Sequence, residues 1–182
     1  MKTDLSASQN DYAYFLPALS TFYSNYVGRE KAEPGFVSQS RIPSNFVNGI
    51  DSLNYLDKQK GSFFYEWTLY SAGHAELDLS KDSPKDHMVR KRNSNTAVWI
   101  DSGGYQIGSL VWRANWADPN CPAAMKKRKQ VLDFMEDCGD YAMTLDIPAW
   151  ICRTQESRNA SGIHSYQEAA NATFINNDYF IN

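Results

Sequence analysis

The residues best equipped for chemistry in this chain stand together as Asp101-Ser102-Gly103-Gly104-Tyr105-Gln106, directly after the apolar run Ala97-Val98-Trp99-Ile100. A β-rich run that ends on a carboxylate, then two glycines, then an aromatic, predicts an acid at a strand's carboxyl end. The glycines leave backbone that a flat ligand can approach closely. The carboxylate can move a proton and the ring can stack on a base. The same pattern is also that of an ordinary tight turn after a strand. A second acid, Asp146, closes the run Tyr141-Ala142-Met143-Thr144-Leu145 in the same manner, where a turn or helix-cap role is equally open to it.

The elements that must position these acids follow from pattern. Between them the spacing predicts a helix over 122–137, with Val131, Leu132 and Met135 on one face and Gly139 as its end. Two strands joined by a helix make a βαβ unit and a parallel sheet, whose ligands bind outside the carboxyl ends of the strands. Both acids are therefore expected at one mouth. Earlier in the chain, strands are predicted at 14–20, where Pro17 argues against a central position, and at 63–70, ending on Ser71-Ala72-Gly73-His74. Residues 28–61 read as loop-rich with a short helix near 44–55, and 78–95 as polar ground holding a surface helix. Residues 153–163 read as a polar loop, and Ser165-Tyr166-Gln167-Glu168 as a capping box opening a last helix.

Composition narrows the class. A chain of 182 residues, 42% apolar and 14% aromatic, can bury one core. A net charge of -3 argues against a broadly basic nucleic-acid coat, so a nucleic-acid contact needs a local patch. Arg90-Lys91-Arg92 and Lys126-Lys127-Arg128-Lys129 are the candidates, against the plainer reading of solvated helix faces balanced by Asp133, Glu136 and Asp137. No apolar run has the length of a membrane span and Met1-Lys2-Thr3-Asp4 does not open a signal peptide, so a cytoplasmic protein without membrane contact is expected, with residues 1–11 mobile. Cys121, Cys138 and Cys152 are widely spaced and read as reduced, inert thiols; His74, His87 and His164 are scattered, with His74 noted for following a strand end.

The hexapeptide at 101–106 closely resembles the signature of the guanine transglycosylases, which exchange guanine in a nucleic acid for a 7-deazaguanine such as queuine. The resemblance implies an α/β chain forming the first half of a (β/α)8 TIM barrel, about four of eight strands, at 14–20, 63–74, 97–106 and 141–146, with residues 1–182 as one partial domain. By position it makes Asp101 the general acid/base, Ser102, Gly103 and Gly104 the turn lining the base pocket, and Tyr105 the ring stacked on the purine. Gln106 closes the motif, and Asp146 is the acid that reads the guanine edge. Ser71-Ala72-Gly73-His74 looks more like the branch, found in phages and some bacteria, that modifies DNA, so DNA or tRNA is the implied partner. The family's nucleophilic Asp and its zinc, held by a Cys-x-Cys-x-x-Cys plus His set, fall on later elements. The expectation is therefore no cofactor in this chain, which is read as a fragment or a half completed by another chain or a homodimer. Two other readings stay open: a non-catalytic module that keeps the pocket, and an unrelated α/β-barrel enzyme.

Overall fold

The computed structural model describes residues 15–181, so the expectations for residues 1–11 and for Tyr14 lie outside the described residues. Three strands form one parallel sheet in the order β1 (Trp67–Ser71), β2 (Ala97–Asp101), β3 (Tyr141–Ala142). Around it lie α1 (Thr21–Tyr26), α2 (His87–Arg90), α3 (Gly104–Gly108), α4 (Pro122–Cys138), α5 (Gln155–Ser161) and α6 (Tyr166–Ile181). The architecture is mixed α/β.

β1 and β2 pair along their full length, from Trp67 opposite Ala97 to Ser71 opposite Asp101. Strand alternation gives the sheet two unlike faces. Thr68, Tyr70, Val98 and Ile100 are buried on one, where Val131, Phe134, Met135 and Cys138 of α4 and Met88 and Val89 of α2 complete the main core. Trp67, Leu69, Trp99 and Tyr141 occupy the other, covered in part by Leu16 and Tyr65, with Trp99 and Tyr141 stacked at 4.7 Å. A second core joins Leu145, Ile147, Ile151 and Ile163 to Ala169 and Ala172 of α6.

Several elements differ from expectation for identifiable reasons. The opening strand reduces to a single bridge: the Leu69 amide donates to Pro17 O at 3.0 Å and the Leu19 amide to Leu69 O at 2.8 Å, after which Ser20 turns the chain into α1. Pro17, having no N–H, cannot extend that ladder. β3 stops at Ala142 rather than Asp146, because its neighbour β2 ends at Asp101 and curls into α3; the last rung is the Met143 amide on Ile100 O at 3.0 Å. The helix expected near 44–55 is a 3-10 turn, Gly49–Leu53. The expected surface helix before β2 is α2, a short one whose His87, Met88 and Val89 are buried.

The polar stretch 153–163 is not a loop. It holds α5, because Thr154 Oγ1 accepts the Ser157 amide at 3.1 Å as an N-cap and Gly162 closes the helix at φ +71°. α4 and the capping box agree with the sequence: the Ser165 Oγ accepts the Glu168 amide at 3.2 Å, and Glu168 Oε2 accepts the His164 amide at 2.6 Å.

The basic runs are largely used within the fold. Arg90 pairs with Asp137, Arg92 with Asp140 at 3.0 Å, and Lys129 with Asp133 at 2.7 Å. Lys127 lies 4.9 Å over the Trp112 ring. Arg128 is buried between α4 and α6, donating to Asn176 Oδ1 at 2.7 Å, and its burial pushes its pKa below the usual range. The three thiols are free; Cys138 is buried and its pKa is pushed up to about 11 by that burial. Among the described residues no helix is long and apolar enough to cross a membrane.

Candidate functional site

The carboxyl ends of β1 and β2 are tied together by polar groups. Ser71 and Asp101 are register partners, and Ser71 Oγ donates to Asp101 Oδ2 at 2.7 Å while accepting the Gly73 amide at 3.2 Å. The Ala72 amide donates to Asp101 O at 2.8 Å, so the backbone around the acid is held from the neighbouring strand. Hydrogen bonds of this kind fix the direction in which a carboxylate presents its remaining lone pairs.

After Asp101 the chain reverses within two residues. Gly103 adopts φ +83°, and a Cβ there would come within 2.7 Å of the Trp112 ring, so both backbone and space select glycine. The turn starts α3, with the Gln106 amide on Gly103 O at 2.9 Å. This short helix throws its side chains to opposite sides. Gln106 is buried against Gly73, where any side chain would collide with its amide. Tyr105 points out, 69% exposed, with its ring 6.1 Å from Trp150.

These elements enclose a cavity of about 280 Å³ lined by Ala18, Leu19, Leu69, Ser71, His74, Asp101, Tyr105 and Gln106. Its volume lies at the lower edge of small-molecule sites, suited to one ring system rather than a dinucleotide. Two of its lining residues each bury a polar atom, His74 Nδ1 and Gln106 Oε1, with no hydrogen-bond partner. Buried polar atoms of that kind cost on the order of 1–3 kcal/mol each unless something satisfies them.

The sequence-predicted residues thus fall into two groups. Asp101, Tyr105 and Gln106 line the cavity, and Ser102, Gly103 and Gly104, all buried, form the turn behind it. Asp146 abuts that turn from the other side. Its Oδ1 accepts a 3.4 Å bond from Ser102 Oγ and lies against Gly104, but it is exposed, stands beyond the end of β3 and does not line the cavity. Sequence reasoning missed Ser71 as the partner of Asp101, and Trp150 as the ring beside Tyr105. The first is recoverable only from strand register, and the second has no local signal. Among the described residues no three His, Cys, Asp or Glu side chains gather as a metal site. No family model, curated protein or solved structure matches the chain.

Proposed function

We propose that the cavity at the ends of β1 and β2 binds a guanine-type base and serves base exchange of the guanine transglycosylase kind in DNA or tRNA. The observation that carries this reading is one cavity of single-base size lined by Asp101, Gln106 and the exposed Tyr105. The Asp101 carboxylate is an acceptor. It suits an edge that presents adjacent donors, as guanine N1–H and its exocyclic amine do, and adenine lacks that pair. Tyr105 and Trp150 supply flat faces, each stacking contact worth roughly 1–3 kcal/mol.

Exchange at the sugar C1′ passes through an oxocarbenium-like state, with one carboxylate as nucleophile and another group handling the proton of the departing purine. Asp101 is assigned the proton-handling role: Ser71 holds Oδ2, and the other oxygen serves the base. Asp146 braces the Ser102–Gly104 turn at the rim and contributes to base recognition from there. The resemblance puts the nucleophile on a strand later than β3, so exchange is to be assayed in a protein that carries that strand. The sheet order, the bridge at Ala18 and the half-covered face bearing Trp67, Leu69, Trp99 and Tyr141 support reading the sheet as part of a (β/α)8 barrel, with that face turned inward. A second reading, a base-binding module without chemistry, is favoured by Asp101 being the one carboxylate among the lining residues.

Calorimetric titration with 7-deazaguanine, guanine and adenine tests the site, and labelled-guanine exchange into tRNA and DNA separates the two readings. The expected result is binding of both guanine types, none of adenine, and at least a tenfold loss in Asp101→Asn. Equal binding of adenine, or unchanged binding by Asp101→Asn, would sink the assignment. Binding without any exchange selects the second reading.

A further inference from the structure

The structure carries a cationic cleft that the nucleic-acid reading did not use. It has a volume of about 450 Å³ and is lined by Cys152, Arg153, Arg158, His164, Ser165 and Tyr166. Among the described residues neither guanidinium has a carboxylate partner within ion-pair distance. The nearby acids are engaged elsewhere, Glu156 with Arg113 at 3.4 Å and Glu168 with the His164 amide at 2.6 Å. Arg158 is also pre-set: its Nε donates to Cys152 O at 2.7 Å, which holds the planar fork while leaving the Nη groups to a ligand. Two cations, Arg158 held in orientation, with no carboxylate among the lining residues suit an oxyanion with several acceptor oxygens.

Position identifies which oxyanion. Asn176 Nδ2 donates to Leu145 O at 2.8 Å and Thr173 Oγ1 accepts the Ile147 amide at 2.9 Å, so α6 runs antiparallel to the segment after β3. Its first turn, at Tyr166, therefore lies beyond the carboxyl end of the sheet, on the side of the base cavity. Trp150 links the two places, since its ring neighbours Tyr105 of the cavity and Cys152, two residues on, lines the cleft. Tyr105, Trp150 and Tyr166 all expose their rings, and Trp150 stands two residues before the cleft's Cys152. Alternating flat rings and cations form the surface a single-stranded nucleic acid tracks.

We infer that the Arg153–Arg158 cleft is a phosphodiester subsite, gripping the backbone of the strand whose base enters the cavity; this rests on the base-binding reading. Arg153 supplies an exposed charge and Arg158 a fixed fork. Neither reads sequence, so the subsite sets affinity and register only.

The test is fluorescence anisotropy of the full chain with a short single-stranded oligonucleotide, titrated between about 50 and 200 mM salt. Arg153→Gln, at an exposed position held in the fold by its backbone amide on Trp150 O, is expected to lower the slope of log affinity against log salt by about 0.7, and the Arg153→Gln/Arg158→Gln pair by about 1.4. Arg158→Lys keeps the charge and is expected to restore most of the slope. Lys129→Gln, whose partner is Asp133, is expected to leave it unchanged. An unchanged slope in Arg153→Gln, or displacement of the oligonucleotide by inorganic phosphate at equal phosphate concentration, would overturn the proposal. Free-base titration of the same variants separates this from the parent reading. Arg153→Gln is expected to bind 7-deazaguanine normally, whereas Asp101→Asn is expected to lose the base and keep its salt slope.

Discussion

The two ends of the sheet use polar residues in opposite ways. At the amino end, charges answer one another: Asp140 Oδ2 accepts both the Val98 amide at 2.8 Å and Arg92 Nη2 at 3.0 Å, and Arg90 holds Asp137 through Nη1 while its Nε is buried without a hydrogen-bond partner. At the carboxyl end, His74 Nδ1 and Gln106 Oε1 are buried without partners, and Arg153 and Arg158 face a cleft without carboxylates. A satisfied polar network fixes one arrangement of the chain, while an unsatisfied one stays available to a molecule that can complete it. On the base-binding proposal, stability is anchored at one end and recognition at the other, so substitutions at the two ends should have separable effects.

The largest effect should come from the recognition end. Asp101→Asn is expected to reduce labelled-guanine exchange by roughly 10² to 10⁴-fold, the range of a lost proton-transfer group. Its unfolding midpoint in denaturant should move little, because the amide still accepts from Ser71. A large stability loss with exchange intact would erase the contrast between the ends.

Next is its counterpart. Asp140→Ala removes the acceptor of two donors at once and is expected to cost about 2–3 kcal/mol in equilibrium urea unfolding. Binding of 7-deazaguanine to the folded fraction should be unaltered.

The amino end should also show in the pH dependence of stability. The Cys138 thiol is raised in the folded protein to about 11 by burial, so the native state favours the neutral form. Its contribution is whole below the ordinary thiol range and is lost as pH rises toward about 11, an effect on the order of 2 kcal/mol. Thermal midpoints across that alkaline range should fall in the parent protein. Cys138→Ala should start lower, from the methyl-sized void, and decline less. Parallel curves would remove the thiol from the account.

Asp146→Ala should have the smallest effect, about a threefold to tenfold loss of base affinity. Its 3.4 Å bond to Ser102 braces the turn from an exposed position and leaves the cavity wall in place.

How far the residues announced this arrangement depends on the range of the forces involved. Local rules located Asp101 at the end of β2 and the reversal at Gly103, because strand alternation and a positive-φ glycine are properties of a few adjacent residues. They located α4 as well, from Pro122 at its first position to Gly139 after its end. They failed where a partner far along the chain decides. β3 was overextended because its length depends on where β2 turns away, and Arg128 was placed on the surface because its acceptor, Asn176, is 48 residues distant. The Thr154 cap and Gly162 were legible but outweighed by the polar composition of the stretch between them. In the site, Asp101, Tyr105 and Gln106 line one cavity with His74, which its place after a strand end had singled out, whereas Ser71 meets Asp101 through strand register and Trp150 meets Tyr105 by the path of the chain after Asp146.

The buried guanidinium of Arg128 also limits how the last helix can seat. Its neighbours are neutral acceptors, Asn176 Oδ1 at 2.7 Å, Pro119 O at 3.3 Å and Trp116 O at 3.5 Å, and the ring of Trp116 lies 5.6 Å away. If α6 slipped by one turn along α4, the amide would move out of reach and a formal charge would be stranded in an apolar seam, at a penalty on the order of several kcal/mol. Methyl groups alone would tolerate a sliding joint there; one trapped cation turns the joint into a keyed notch, admitting a single alignment and holding the start of α6 at a fixed height above the sheet.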